Sequence, residues 1–302
     1  MAAVTAAMVA QLRERTGLGM MECKKALTET DGDLEAAIDL LRKKGTKDRG
    51  ERVAGEGLVM GYVAPDGKTG VLVELNSETD FVARNEDFKA LARALAAKAA
   101  DSHAESVEAL LAEAHEDAEL EDKTVRGAIN AAINRIGEKI QLGRFVRYHA
   151  TEGGQVTAYI HSTTGSGLDG GRVGVLVETA GDASGSLGKD VAMHISFAKP
   201  RFLSESDVDA DVVAKERAII TEQTNDDPRL QGKPDAAKNA AIEGRVKKFF
   251  SEIVLLNQPY VREDKKTVSQ IVADTKGASI VRFARFEVGE SVARPAADGA
   301  SA

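Results

Sequence analysis

One six-residue pattern occurs twice in this chain: "GVLVEL" opens at Gly70 and "GVLVET" opens at Gly174. Each copy follows a shorter apolar run, "GYV" from Gly61 and "AYI" from Ala158. Each also precedes a helical stretch, "NEDFKALARALA" after the first and "GKDVAMHISFA" after the second. A strand, strand and helix recurring in that order predict a duplicated unit, not one continuous sheet. The alternation in "GLVMGYV" and "VLVELN", joined by the turn residues "APDGKTG", marks the hairpin of the first copy. The fold class expected is α+β, with two core subdomains that each set a small sheet against helices on one side.

The rest of the chain arranges itself around this repeat. Residues 1–45 predict three short helices: Thr5 caps the first, Gly17 and Gly19 turn the chain, and "DGDLEAAIDLLRKKG" carries a capping Asp and a stop at Gly45. Residues 46–57 are polar and aperiodic, which suits a linker. The first core subdomain spans 58–150, with helical character over 105–136 and Gly137 ending the helix before the strand "IQLGRFVRY". The second spans 151–206 and 258–290. Between its parts, residues 207–257 lose strand character and predict an antiparallel helical hairpin whose loop is "TNDDPRLQGKP". The tail 291–302 is expected to be disordered.

Composition excludes several classes of function. The net charge of -8 argues against broad contact with a phosphate backbone, so no direct nucleic-acid binding is expected. Cys23 is the only cysteine, which rules out a disulfide within the chain. No basic leader precedes a long apolar run, and no apolar stretch approaches a membrane span; the expectation is a cytoplasmic, soluble protein with no membrane contact. "GSGLDG" (165–170) satisfies a dinucleotide fingerprint, but a strand follows where a helix is needed. "GKT" (67–69) lacks the glycine that a phosphate loop requires at Tyr62. The five histidines show no metal-ligand spacing, and no nucleophile elbow is present. No active site, metal site or cofactor is expected.

The remaining singular feature is "ELNSETDFVARNEDF" (74–88), where the second strand hands over to a helix. With nine Phe, four Tyr and no Trp in the chain, Phe81 is a scarce aromatic at a polar corner. A lone Phe is more often a core residue, yet the flanking Thr79, Asp80 and Arg84 belong to a surface.

"LRERTGLGMMECKKAL" (12–27) and "ELNSETDFVAR" (74–84) resemble the two signature segments of the elongation factor Ts family. "AMHISFAKPRF", "EGRVKKFF", "QPYV" and "RFEVGE" follow in family order, so the resemblance covers nearly the whole chain. It implies a guanine-nucleotide exchange factor whose partner is elongation factor Tu, with no covalent chemistry. The helices of 1–45 would form a ubiquitin-associated-like domain that grips the partner's GTPase domain, while the second core half meets its third domain. Thr79, Asp80, Phe81 and Val82 would press near the partner's magnesium, with Phe81 entering an apolar slot. Lys24, Ile136, Gly137 and His194 match further partner-contacting positions. Each also has a plainer reading: a solvated lysine, a helix end, a core histidine. A homodimer of complexes is left open by the sequence. The tail, broken by Pro295 and Gly299, offers no final helix of the kind many members carry. A ubiquitin-like-binding adaptor is the alternative, but it would account only for residues 4–44.

Overall fold

The computed structural model describes residues 4–290 apart from 17–19, 45–52, 118, 119, 121, 162–168, 182–185 and 276. The expected turn at Gly17 and Gly19, the stop at Gly45, most of the linker, most of "GSGLDG" and the tail lie outside the described residues.

Three helices open the chain: α1 (Ala6–Thr16), α2 (Met20–Glu29) and α3 (Leu34–Lys44). Leu12, Cys23, Ala26, Leu27 and Ala37 form their buried seam, a small core of its own. Thr5 caps α1 through Oγ1, 3.3 Å from the Met8 N–H. Asp33 caps α3 by accepting from the Ala36 N–H at 3.0 Å.

Two three-stranded antiparallel sheets follow. The first orders β1 (Glu56–Val63), β2 (Thr69–Ser77) and β3 (Ile140–His149). The second orders β4 (Gln155–His161), β5 (Val173–Ala180) and β8 (Ser279–Glu287). The GVLVE repeat is the middle strand of each. Its two valines point to the subdomain's own helices: Val71 and Val73 pack with Phe88, Leu95 and Leu110, and Val175 and Val177 pack with Val191 and Ile195. Its leucines point the other way, since strand side chains alternate. Leu72 and Leu176 meet in a third core with Val59, Tyr148, Val156, Ile160 and Phe286, so the two sheets stack face to face. The molecule is layered helix, sheet, sheet, helix. Close stacking explains why the repeat opens with glycine: a Cβ on Gly70 would collide with Val156 Cγ1, and one on Gly174 with Val59 Cγ1.

The sheet joint is reciprocal. Glu74 is fully buried and accepts from Arg144 Nε at 2.7 Å, while the Arg144 guanidinium stacks over Phe286 of the other subdomain, 4.1 Å from the ring centre. Glu178 is equally buried and accepts from Arg282 Nε at 2.6 Å; Arg282 stacks over Tyr148 at 4.2 Å. Each carboxylate also accepts a backbone N–H at the joint, from Gly289 at 2.9 Å in one case and from Thr151, just past β3, at 2.6 Å in the other. Residue i meeting j while j's counterpart meets i's is the signature of a two-fold relation. Burial acts to raise the Glu178 pKa, but the Thr151 N–H and the Arg282 hydrogen bond outweigh it and leave the carboxyl below its ordinary range.

The first sheet is covered by α5 (Glu86–Asp101), α6 (Val107–Ala112) and α7 (Val125–Ile136), with the single turn α4 (Asp80–Ala83) at the corner between β2 and α5. The helical character expected over 105–136 is thus split. Acidic residues crowd 113–122, where like-charge repulsion disfavours a continuous helix, and the chain instead loops back to pair Ala114 with Thr124. The second sheet is covered by α8 (Leu187–Ala198) and α11 (Val268–Asp274). A two-stranded ribbon of β6 (Pro259–Tyr260) and β7 (Glu263–Thr267) leads into α11, an arrangement that strands this short do not announce in sequence.

Helices α9 (Ala210–Asp226) and α10 (Asp235–Ile253) pack on each other through Ile220, Ile242 and Val246, and Arg217 clamps Glu243 with both Nη atoms at 2.6 and 3.0 Å. The loop between them is shorter than "TNDDPRLQGKP" suggests, because α9 runs on through Asp226. Thr224 stays helical by returning its hydroxyl to the Ile220 carbonyl at 2.7 Å, and Arg245 ties it to Asp227.

Candidate functional site

The corner between β2 and α5 is built by capping. Asn85 Oδ1 accepts from the Asp87 and Phe88 N–H groups at 2.8 and 3.4 Å and so starts α5. Phe88 then turns inward and is fully buried. Before it, α4 is too short to bury two faces. Val82 goes into the first core, and its neighbour Phe81 is left 78% exposed. The scarce aromatic is displayed, and the core reading of Phe81 does not hold.

Val82, grouped with Phe81 in the resemblance, faces the other way: its side chain is buried among core residues and anchors the turn from below. Asp80 pairs with exposed Arg84 one turn on, Oδ2 to Nη2 at 2.8 Å. Thr79 is held by both of its donors: the N–H reaches Glu138 Oε2 at 3.0 Å, and Oγ1 donates to Glu138 Oε1 at 2.8 Å.

Glu138 lies just beyond the Ile136–Gly137 pair, so the structure brings these positions to the same corner as Thr79. Gly137 closes α7 with φ +89°, a left-handed conformation natural to glycine, and donates its N–H to the Ile133 carbonyl at 2.9 Å. Gly137 itself is exposed, and the site where a Cβ would sit is open space. Ile136 is half-buried and packs against the first core. A groove of about 640 Å³ runs beside the corner, with Asp80 and Arg84 on one wall and His161 and Arg172 of the second subdomain on the other.

The remaining expected residues lie elsewhere. Lys24 is exposed on α2, where it borders with Met20, Met21 and Val9 an apolar groove of about 700 Å³. His194 is in the second core, only 1% exposed. Its Nδ1 accepts from the Val261 N–H at 3.2 Å and its Nε2 donates to Gln258 Oε1 at 3.0 Å. Burial lowers its pKa, against the opposing effect of the Gln258 bond, so the ring is neutral at pH 7.

Two residues escaped the sequence reading. Glu138 looked like any charge at a helix end. Phe197 is 76% exposed on α8, and a signal for it existed: buried Leu187, Val191, Ala192 and Ile195 define the inner stripe, and position 197 falls off it. Among the described residues no His, Cys, Asp and Glu group is arranged to hold a metal, and no helix is long and apolar enough to cross a membrane.

Comparison with known proteins is consistent along the chain. Residues 78–290 match the family model described as "Elongation factor TS". Proteins named "Elongation factor Ts" match at similar depth from distant bacteria. The Alkalilimnicola ehrlichii protein is 45% identical over 291 residues, 95% of this chain and 93% of the relative. That of Paracoccus denitrificans is 45% identical over 304 residues, 99% and 97%. That of Clostridium botulinum is 42% identical over 301 residues, 96% and 94%.

Proposed function

Since the chain belongs to the elongation factor Ts family, we propose that it serves translation elongation by promoting GDP release from elongation factor Tu, with Phe81 as the wedge. The observation that carries this reading is the 78% exposure of Phe81 on a corner whose neighbours are all tied down. A large aromatic side chain facing water gains nothing for the isolated fold; it gains by entering an apolar slot in another protein.

Exchange of this kind makes no bonds. The factor must bind nucleotide-free partner better than nucleotide-bound partner, and reciprocity then requires it to weaken the nucleotide by the same factor. Reversing the two populations takes on the order of 5 kcal/mol of differential binding. Burial of one Phe side chain supplies roughly 1.5–3 kcal/mol of that. Displacing the magnesium that neutralises phosphate charge in the partner supplies the balance, the role assigned to Thr79, Asp80 and Phe81, with Val82 supporting them from the core. The α1–α3 unit, similar to ubiquitin-associated domains, grips the GTPase domain through Lys24 and the exposed Met20 and Met21. The second subdomain meets the partner's third domain near His194, which acts by holding the Gln258–Val261 segment rather than by contact. Such a protein works in the cytoplasm. A ubiquitin-like-binding adaptor would use α1–α3 alone and leaves the Phe81 corner without a purpose.

The test is Phe81→Ala beside Phe88→Ala. Truncating an interface aromatic costs about 2–4 kcal/mol, so GDP release by Phe81→Ala slows on the order of 30-fold or more at unchanged stability. Phe88→Ala loses about 3–5 kcal/mol of stability instead. Normal GDP release with folded Phe81→Ala protein overturns the reading.

A further inference from the structure

The wedge stands on one turn of helix, which is a poor foundation. A four-residue helix has almost no internal hydrogen bonding to hold it, because its first four N–H groups have no partner within the helix. Thr79, the residue that opens α4, makes no side-chain cap to it. Its hydroxyl is spent on Glu138 instead. The corner is therefore fixed from outside, by a residue 59 positions away in sequence.

The attachment is two-sided. The Glu138 carboxylate takes both donors of Thr79, one per oxygen, at 3.0 and 2.8 Å. Next to it, Glu78 Oε1 accepts from the Lys139 N–H at 2.6 Å. Residues 78–79 and 138–139 are thus cross-tied, each pair contributing a carboxylate to a backbone N–H of the other. The left-handed Gly137 turns the chain out of α7 so that Glu138 faces Thr79. Charge-assisted bonds of this kind are roughly twice as strong as neutral ones, and two bonds from one planar carboxylate fix orientation as well as distance.

We infer that Glu138 is a positioning residue for exchange: through Thr79 it holds α4 at the angle that presents Phe81 to the partner. The inference rests on the wedge reading of Phe81 and extends it to a group whose bonds go to Thr79. A loosened corner still docks through the rest of the interface, and the cost of ordering it is met only when Phe81 enters its slot, in the state from which GDP leaves. The loss therefore falls on the maximal rate rather than on affinity.

GDP release from elongation factor Tu is measured over a range of factor concentrations with Glu138→Ala, Glu138→Gln, Phe81→Ala and the Phe81→Ala/Glu138→Ala double variant, alongside chemical denaturation. Glu138→Ala is expected to lower the saturating rate about tenfold, with less than a twofold change in the half-saturating concentration. Glu138→Gln, which keeps one accepting oxygen, recovers part of the rate. In the Phe81→Ala background the Glu138 substitution adds little, because the group it positions is gone. An unchanged saturating rate overturns the inference, as does a full-sized Glu138 effect in the absence of Phe81, which would mark a general structural role. If Phe81→Ala alone leaves exchange normal, the wedge reading fails by itself. A Glu138 effect in that case also overturns the inference, since it could not act through Phe81.

Discussion

Glu74→Ala tests whether the joint between the sheets is a closed electrostatic unit. The substitution removes an acceptor used by three donors: Arg144 Nε at 2.7 Å, the Gly289 N–H at 2.9 Å and Asn76 Nδ2 at 2.9 Å. The carboxylate itself is fully buried, and Arg144 keeps only 28% of its side chain in contact with solvent. Each stranded donor costs about 1–3 kcal/mol, with Arg144 toward the upper end because its charge stays in place over Phe286. Water reaches Arg144 from its exposed edge and offsets part of this. The expected loss is about 3–5 kcal/mol, the usual result of removing one member of a buried pair. Tyrosine fluorescence under urea is the assay of choice: the chain has no Trp, and Tyr62, Tyr148, Tyr159 and Tyr260 all lie beyond α3, so the signal reports the two subdomains alone. The reciprocal geometry sharpens the forecast, because Glu178→Ala removes the same kind of acceptor from Arg282 and Thr151 and must cost a similar amount. A loss below about 1 kcal/mol for either variant would show that the joint opens to water and would refute the reasoning.

Gly174→Ala forces a methyl group against Val59 Cγ1 where the sheets touch, and a loss of about 1–3 kcal/mol is expected by thermal denaturation, with no effect on the exposed corner. For His194 the sign follows from burial: the folded pKa lies below the ordinary value of 6.5, so beneath that pH the unfolded chain binds a proton that the folded ring refuses. Stability therefore falls as pH drops below about 6.5, and the fall ceases once the folded pKa is passed; His194→Gln should flatten that limb of a stability-versus-pH curve.

The duplication was legible because GVLVE repeats nearly letter for letter, and alternation around it marked the first copy as a hairpin. The partner strands carried a second repeat that is plain only in hindsight. "RFVRY" from Arg144 and "RFARF" from Arg282 pair with the two GVLVE strands in matching register, Glu74 opposite Arg144 and Glu178 opposite Arg282. Pairing across a sheet is not a local property, so nothing near Glu74 in sequence marks it as buried; a charged residue in a strand reads as solvated until its partner is found. The display of Phe81 was legible from its polar neighbours. The inward turn of Val82 was not, because a one-turn helix has no period to read. His194 lay between two readings, and only the packing of Gln258 and Val261 around it decides for the core.

A two-fold frame has two equivalent corners. The β2–α5 corner has its counterpart between β5 and α8, and there the sequence reads "AGDASGSLG", with no aromatic at all. The duplication repeated the frame without repeating the displayed aromatic, and the symmetry is broken at the corner that carries Phe81. Two armed corners would make the chain a bivalent clamp, able to bridge two partner molecules and to hold both at once. On the proposed reading of Phe81, one armed corner would make it monovalent at that contact, so that each exchange event would engage a single partner.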